Sequence, residues 1–276
     1  MDDDWLQSFD FVAFDTETTG LWAPANRVVE IGAIKFRLGQ PRIEQFQTLV
    51  NPERKIPIET INIHGITDSM VFQAPLIEPA LKQFAEFCGP DSVLIAHNAM
   101  FDISFIGCEA DRVGVPLPEN LVLDTVDIYR KYHPGLDSYS LLALAREFKI
   151  DRNQSHRAAD DAALVWKLFE KVSERFPYLS GDGEFRRAFT SYRFSQWQGE
   201  EVRLPDHFED ITRAIEQELP LEIVYASNGR PPQRRIIRPR RVHTLRSQYY
   251  VSAFCEQVEE ERTFRLDRIS SFKLVK

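Results

Sequence analysis

Strand and helix patterns follow one another in an order that leaves few folds open. Three β-rich runs come first, at Phe9–Asp15, Val28–Leu38 and Ile43–Val50, and a turn at Gly39–Pro41 joins the second to the third. Such short connections predict an antiparallel meander. The order as a whole predicts an α/β fold, a mixed sheet with helices on both faces. Helices and strands are then expected in alternation, at Pro79–Cys88, Ser92–Ala96, Phe101–Val113, Leu121–Leu123, Tyr139–Phe148 and Arg157–Phe176.

The pattern changes after Pro177. It weakens over 178–205, where Ser180–Gly183 is the clearest structure breaker. We therefore predict a first domain over 1–177, a linker over 178–205 and a small β domain over 206–276. The expected elements of the last part are a short helix at about His207–Glu218 and β-like runs near Leu221–Tyr225, Arg235–Val242, Tyr249–Cys255 and Thr263–Leu266.

Charge is distributed unevenly along the chain, whose net charge is −8. Residues 1–175 carry 27 acidic and 17 basic side chains, whereas 176–276 carry 15 acidic and 17 basic. Within the second part, Ile223–Cys255 has seven arginines and no acidic residue. The acidic first part disfavours binding to a polyanion unless its acids hold divalent cations, because a bound metal inverts the local sign.

Composition is that of a globular protein, with 43% hydrophobic and 28% charged residues. The chain starts Met-Asp-Asp-Asp-Trp, and no long apolar run follows, which predicts neither a secretory signal nor a membrane anchor. The three cysteines are far apart and form no Cys-x-x-Cys pair, so we expect reduced thiols. These features predict a cytoplasmic protein without a membrane partner.

The first acidic motif is Asp15-Thr-Glu17-Thr-Thr-Gly20, at the carboxyl end of the first predicted strand. Residues two apart on a strand point to the same face, so Asp15 and Glu17 can converge on one ion. Two carboxylates that close repel each other unless a cation lies between them. The alternative is a polar strand end that runs into a Thr/Gly turn.

The second motif, His97–Asp102, directly follows the predicted strand Ser92–Ala96. A strand-to-helix corner again places a carboxylate at the edge of the sheet. Asp102 has an alternative role as an ordinary helix N-cap, which is a common use of aspartate.

The third motif, His156–Ala162, starts the longest helical stretch. His156 just before a helix, with Asp161 little more than one turn later, suits a base beside a metal ligand. Alternatively, the helix macrodipole favours an aspartate there for structural reasons alone. Magnesium prefers carboxylate oxygens, and four acids from three segments would supply the ligands that two ions need.

The three motifs, in this order, resemble those of the DEDDh exonucleases, the DnaQ-like branch of the ribonuclease-H-like fold. The resemblance covers about Phe9–Phe176 and includes Val29-Glu-Ile-Gly-Ala33 and Ile63-His-Gly-Ile-Thr67. It implies a mixed five-stranded sheet flanked by helices. Five residues match the catalytic positions of the family: Asp15, Glu17, Asp102, His156 and Asp161.

What the resemblance implies is a metal-dependent 3′–5′ exonuclease that releases 5′-mononucleotides. His156 would take a proton from the attacking water, since an imidazole titrates near working pH. Asp161 rather than Asp160 is the implied ligand, because the family's aspartate lies five residues after the histidine. Two Mg²⁺ ions, which Mn²⁺ can replace, would be held by Asp15, Glu17, Asp102 and Asp161.

Specificity is implied less sharply. By the resemblance, four residues hold the terminal nucleotides of the strand, and stacking on an aromatic ring predicts weak sequence preference. Single-stranded DNA is the expected substrate, with RNA as the alternative. The side chain of Phe101 has an alternative place in the core, and that of His64 can satisfy the Gly65 turn. The four residues are Thr18, His64, Asn98 and Phe101.

The last part of the chain resembles a WYL domain, a small Sm-like β barrel found in bacterial regulators. Tyr-Tyr-Val at 249–251 replaces the tripeptide that names the domain. The resemblance implies a groove that binds nucleic acid or a nucleotide-like effector through arginine. The alternative is a solvated basic face that pairs with Glu256–Glu261 or with the acidic first domain. The groove positions are Arg238, Tyr249, Arg265 and Arg268.

Three functions follow from these patterns. The first is a nuclease whose second domain holds the strand or senses an effector. The second is a nucleic-acid-responsive regulator that uses the nuclease fold only as a binding platform, which the five intact catalytic positions disfavour. The third is a structural partner within a polymerase or repair assembly, and the accessory domain favours an independent protein instead.

Overall fold

The chain divides into two compact units in a computed structural model that describes residues 5–41, 43–151, 154–197, 204–226, 231–245, 248–258 and 260–275. The first unit comprises Met1–Leu21 and Arg27–Gln198, and the second comprises Trp22–Asn26 and Gly199–Lys276. Each unit contains a hydrophobic core of its own. Nothing in the described part of the chain is a helix long and apolar enough to cross a membrane.

The first unit begins with the three predicted strands and then alternates helices with strands. The strands are β1 (Phe11–Thr18), β2 (Val28–Phe36), β3 (Ile43–Leu49), β4 (Val93–Ala96), β5 (Val122–Asp124) and β6 (Ser191–Tyr192). The helices are α1 (Ile58–His64), α2 (Asp68–Val71), α3 (Ile77–Cys88), α4 (Met100–Val113), α5 (Thr125–Tyr132), α6 (Leu141–Glu147), α7 (Ala158–Ser173) and α8 (Asp182–Ala188).

The strands form one mixed sheet in the order β3-β2-β1-β4-β5-β6. β1, β2 and β3 pair antiparallel, which confirms the predicted meander. β4 and β5 are parallel to β1, and β6 is antiparallel to β5. The prediction of a mixed sheet with helices is confirmed, but the predicted number of five strands is wrong, because β6 adds a sixth.

The sixth strand comes from the segment expected to be a linker. Residues 178–197 contain α8 and β6, and Phe185, Phe189 and Phe194 are all buried within the first unit. The breaker Ser180–Gly183 leads into α8, and the Ser180 N–H donates to the Glu184 carboxylate at 2.7 Å. Ser180 and Gly181 thus precede a short helix, and Gly183 lies in its first turn. The described chain packs with the first unit as far as Trp197.

Helix α5 has no counterpart in the sequence-based expectation. It follows β5 without an intervening loop, and the Asp124 side chain caps it by accepting from the Val126 N–H at 2.8 Å. The strand expected to end at Leu123 therefore passes directly into a helix.

Strand β1 is covered on both faces, and its alternation decides where its acids point. Phe11 lies 5.0 Å from Phe169 of α7, whereas Phe14 lies 5.6 Å from Phe84 of α3, measured between ring centroids. Residues two apart share a face. Asp15 and Glu17 therefore continue the face of Phe11 and lie on the side of the sheet that α7 covers.

Helix α7 approaches the sheet most closely at Gly32 of β2. A Cβ atom at Gly32 would lie 2.2 Å from the carbonyl carbon of Ala158 and 2.2 Å from the amide nitrogen of Ala159. Only a residue without a side chain allows this approach. The glycine thus sets the distance between the sheet and the start of α7.

The second unit consists of one helix and an open antiparallel sheet in the described residues. The helix α9 (Glu209–Glu216) packs with the strands through Ile211 and Ala214. The strand order is β10-β9-β8-β7-β11. The predicted helix and small β domain are present, a closed barrel is not shown, and β11 had not been predicted. The strands are β7 (Leu221–Tyr225), β8 (Gln233–Leu245), β9 (Gln248–Cys255), β10 (Glu260–Arg265) and β11 (Ile269–Leu274).

Replacing Gly32 by alanine should destabilise the first unit, because the new methyl group meets backbone atoms that cannot move independently of α7. Overpacking of this kind costs about 1–3 kcal/mol. The matched control is Gly183→Ala in α8, where the new Cβ would meet only the Arg187 guanidinium at 3.7 Å. Urea unfolding of both variants measures the difference, and equal stabilities would contradict the close approach.

Candidate active site

Three carboxylates from two elements meet at the end of β1. Asp15 and Glu17 lie on β1, and Asp161 lies in the first turn of α7. One oxygen of each lies within 4.8 Å of one oxygen of each of the others. The alternation of β1 and the close seating of α7 together produce this cluster. The structure therefore brings together the first and third predicted motifs.

Asp102 lies beside the cluster, where burial and the charge of Asp102 raise the pKa of Asp15. It is buried in the first turn of α4, and its Oδ1 accepts a hydrogen bond of 2.7 Å from the Thr16 hydroxyl. Its alternative role as the helix N-cap is wrong, because Ala99 holds that position. The N–H groups of Asn98 and Ala99 donate instead to the Asp124 carboxylate, each at 3.0 Å.

Burial and mutual repulsion perturb all of these acids. Burial, followed by the charges of Asp102 and Glu17, raises the pKa of Asp15 well above its ordinary value. Burial and the charge of Asp161 raise the pKa of Glu17 to about 9. Burial raises the pKa of Asp102 to about 7 and also raises the pKa of Asp161. The cluster thus concentrates more negative charge than its surroundings can stabilise.

The donor set fits a divalent cation with a preference for oxygen. All of the ligand atoms are carboxylate oxygens, which suit Mg²⁺ or Mn²⁺. The Oδ2 atom of Asp161 accepts from the Gln154 amide at 2.6 Å, while its Oδ1 atom is buried and has no partner among the described residues. Such an oxygen is costly to bury unless something positive binds it.

His156 precedes α7 and is exposed to solvent. Its backbone adopts the left-handed conformation, with φ 51°, which few residues other than glycine adopt. The charge of His156 lowers the pKa of Asp161, against the larger effect of burial, so the imidazole lies near the carboxylate cluster. The histidine is therefore accessible to water at the edge of the site.

The four predicted nucleotide-binding residues differ in their exposure and in the contacts that their side chains already make. Thr18 donates its hydroxyl to the Gly20 carbonyl at 2.6 Å, and Asn98 is exposed with a left-handed φ of 61°. The His64 Nδ1 atom accepts from the Ile66 N–H at 3.0 Å, which is the turn role weighed above. Phe101 is half-buried, with its ring centroid 5.0 Å from that of Phe105, so it is partly a core residue.

Sequence reasoning missed the contacts that hold the motifs in place. The Glu30 carboxylate is fully buried and binds Arg157 of the third motif, and Asp124 binds the loop of the second. The sequence contains a signal for both of these acids. Glu30 is an acid inside an apolar strand, and Asp124 is an acid at a strand end, as Asp15 is. Their partners are distant in sequence and could not be read from it.

The predicted groove residues of the second unit do not share one face. Residues opposite each other on paired strands lie on the same face, so Arg238, opposite Phe254, and Arg265, opposite Tyr250, share a face, because Tyr250 and Phe254 are four residues apart on β9. Tyr249 alternates with Tyr250 and packs against the core. Arg238 pairs with Glu256 at 3.0 Å, and Arg265 pairs with Asp267 at 2.6 Å. Arg268 follows β10 and is half-buried.

Residues 12–169 match the family model described as Exonuclease, and residues 206–274 match that of the WYL domain. The chain belongs to the exonuclease family. The predicted resemblance to DEDDh exonucleases, with a WYL-like domain behind, is confirmed. The larger part of the chain is therefore a domain of the exonuclease family, and a WYL domain follows it.

Curated relatives share the first part of the chain. The PolC-type DNA polymerase III of Caldanaerobacter subterraneus subsp. tengcongensis is 41% identical over 166 residues, which is 60% of this chain and 12% of that protein. The PolC-type DNA polymerase III of Listeria innocua is 36% identical over 191 residues, 68% of this chain and 13% of that protein. The chain thus matches only a small part of each of these relatives.

Solved structures share the fold. The nuclease domain of 3′hExo, described as a DEDDh family member bound to rAMP, has a TM-score of 0.56 at 16% identity and covers 64% of this chain and 97% of that one. Cell-death related nuclease 4 has a TM-score of 0.53 at 13% identity and covers 60% of this chain and 64% of that one. Identities this low establish the fold alone.

Without metal, the stability of the protein should fall as the pH rises. The pKa of Glu17 is 4.5 in an unfolded chain and about 9 in the fold, so the folded state favours the protonated carboxyl. The stabilisation that protonated Glu17 provides is fully present below pH 4.5, and it is lost as the pH rises from 4.5 through about 9. In chelator, the Tm at pH 8 should lie below that at pH 6, and Mg²⁺ should raise the Tm most at pH 8.

The control for this measurement is Glu17→Gln, which removes the charge but keeps the shape. Its Tm in chelator should change less between pH 6 and pH 8, and Mg²⁺ should raise it less. If the wild type and the variant respond identically to pH and to Mg²⁺, charge repulsion at Glu17 does not govern the site.

Proposed function

We propose that this protein is a 3′–5′ exonuclease that hydrolyses single-stranded DNA by a two-metal mechanism and releases 5′-mononucleotides. The observation that carries the proposal is the meeting of Asp15, Glu17 and Asp161 within 4.8 Å, with the exposed His156 beside them. A purely structural site would leave such a cluster of like charges uncompensated. The arrangement suits cations and a substrate phosphate.

The residues of the chain take separate roles in this proposal. Asp15, Glu17, Asp102 and Asp161 would hold two Mg²⁺ ions. When bound, such a pair stabilises the attacking and leaving oxygens of an in-line displacement. His156 takes the proton from the attacking water, for which its exposed position at the edge of the carboxylate cluster is suited.

The names of two relatives favour DNA over RNA as the substrate. The relatives at 41% and 36% identity are named as DNA polymerases, whereas the neighbour bound to rAMP is 16% identical. The alternative is a 3′–5′ exoribonuclease on the same site. Thr18, His64, Asn98 and Phe101 remain the proposed nucleotide-binding residues.

The second unit is proposed to hold the strand or to sense an effector. Arg238 lies on β8, and Tyr250 on β9 lies opposite Arg265 of β10. Arginine makes bidentate contacts to phosphate, which suits a strand-holding role. We propose an exonuclease domain over 1–177 and an accessory domain over 206–276, and the segment 178–197 between them packs with the first unit. We also propose that the protein is cytoplasmic.

A nucleic-acid-responsive regulator is the second candidate. It would use the nuclease fold as a binding platform, and the WYL domain match is the observation in its favour. A platform has no need for a cluster of buried acids with raised pKa values together with a neighbouring histidine. The nuclease is therefore the better supported of the two.

Asp161→Asn should abolish cleavage of end-labelled single-stranded DNA in Mg²⁺, because it removes one ligand from the cluster. His156→Ala should bind Mg²⁺ almost normally but turn over on the order of 10²–10⁴-fold more slowly, the usual contribution of a general base. Asp160→Asn is the matched control: Asp160 is exposed and accepts from the Ser155 hydroxyl at 2.8 Å, so activity should persist.

The same assay decides polarity and substrate. A strand blocked at its 3′ end should resist degradation, while a 5′ block should not matter, and RNA should be cleaved more slowly than DNA. Full activity of His156→Ala would remove its role as base. Intact strands with every metal and substrate tried would end the nuclease proposal.

Removing arginine from the second unit should weaken strand binding without changing the chemistry. Arg238→Ala should raise KM, leave kcat unchanged and reduce the slope of log affinity against log salt by about 1, because one phosphate contact is lost. Lys273→Ala, which breaks an exposed pair with Glu222 at 3.2 Å, is the control of equal charge. An unchanged salt slope would argue for a solvated basic face.

A further inference from the structure

Glu30 is the most deeply buried acid near the proposed site that holds no ligand position. It is fully buried on β2, directly opposite Glu17 of β1. Its Oε1 accepts from the Arg157 Nη2 at 2.5 Å and from the Gln47 amide at 2.8 Å. Its Oε2 accepts from the Arg157 Nε at 3.0 Å and from the Ala158 N–H at 2.9 Å. These four bonds occupy both oxygens, so Glu30 has no lone pair directed at a cation.

The bond to Ala158 replaces a missing helix cap. The first N–H groups of a helix have no partner within it, and a side chain at the N-cap usually accepts one of them. The N-cap of α7 is Arg157, whose side chain makes no such bond. Glu30 supplies the acceptor from the neighbouring strand, and its negative charge also suits the positive end of the helix.

Two residues of β2 therefore determine where α7 begins. Gly32 allows the backbone of Ala158 and Ala159 to approach, and Glu30, on the same face two residues earlier, binds Ala158 and the side chain of Arg157. Seated in this way, the first turn of α7 has little freedom to move against the sheet. His156 and Asp161 lie within three residues of this anchor.

His156 needs such an anchor because its backbone is strained. A left-handed backbone at a residue other than glycine persists only where its surroundings determine it strongly. The next residue along the chain, Arg157, is held at both its Nε and its Nη2 atoms in a bidentate pair. The chain is therefore fixed immediately after His156.

We propose that Glu30 is a positioning residue: by holding Arg157 and Ala158, it sets the place of His156 relative to the carboxylate cluster. The inference rests on the proposed role of His156 as the base. Glu30 itself touches neither substrate nor metal.

Steady-state kinetics of single and double variants test the anchor through His156. Arg157→Ala should lower kcat on the order of 10- to 100-fold with KM little changed, since small misplacement of a catalytic group has effects of this size. In the His156→Ala background, Arg157→Ala should cause almost no further loss. Interaction of this kind distinguishes positioning from general destabilisation. Independent, multiplying effects would overturn the proposal.

Conservative and control variants sharpen the result. Arg157→Lys keeps the charge but loses the bidentate geometry, so it should recover part of the kcat that Arg157→Ala loses. Glu30→Gln should resemble Arg157→Ala if the variant folds. Glu174→Gln, near the far end of α7, removes a carboxylate that pairs with Lys171 at 2.7 Å and should leave kcat unchanged.

Amide hydrogen exchange over 154–161 tests the same anchor without any cleavage. Exchange in the first turn of α7 should become faster in Arg157→Ala and Glu30→Gln but not in Glu174→Gln. Unchanged exchange would overturn the inference even if the protein is an active nuclease. An inactive wild type with the expected exchange would instead contradict the proposed function and leave the anchor supported.

Discussion

Crowding of negative charge at the end of β1 is the constraint on which the rest of the first unit depends. Asp15 and Glu17 are forced onto one face by the strand, and Asp161 is added from α7. Their raised pKa values show that the fold alone does not stabilise the charged forms. Either a proton or a cation resolves the repulsion, and a cation binds only the deprotonated carboxylates. The fold therefore keeps a site that is stable in its charged form only with a ligand.

Such a site needs rigid support, and the structure supplies it twice in the same way. α7 and α4 each carry a proposed metal ligand, and the start of each helix is held by another acid that is not proposed as a ligand. Glu30 accepts from Ala158 at the start of α7. Asp124 accepts from Asn98 and Ala99 at the start of α4. In both places a carboxylate from a strand compensates the positive end of a helix. α7 can then hold Asp161 in the cluster, and α4 can hold Asp102 beside it.

Much of the first unit could be predicted from the sequence, because strands and helices have characteristic periods of apolar residues. The meander, the alternation of helices with strands and the three acidic motifs follow from local patterns, and the predicted motifs meet as Asp15, Glu17 and Asp161. The sequence patterns did not show two short elements and one long-range contact. The two-residue β6 is too short to carry a pattern, and α8 was hidden by the glycines at its start. The partner of Glu30 lies 127 residues away, so no window could connect them.

The predicted groove residues of the second unit lie on more than one face of its sheet. A resemblance transfers positions along the chain, but a strand distributes consecutive residues to opposite faces. Tyr249 therefore lies on the core side of β9, while Tyr250 lies on the other side opposite Arg265, and both rings are half-buried. Arg238 and Arg265 also have acidic partners, Glu256 and Asp267, that a strand of nucleic acid would have to displace. Binding there depends on phosphate competing with carboxylates already in place, which makes it sensitive to salt.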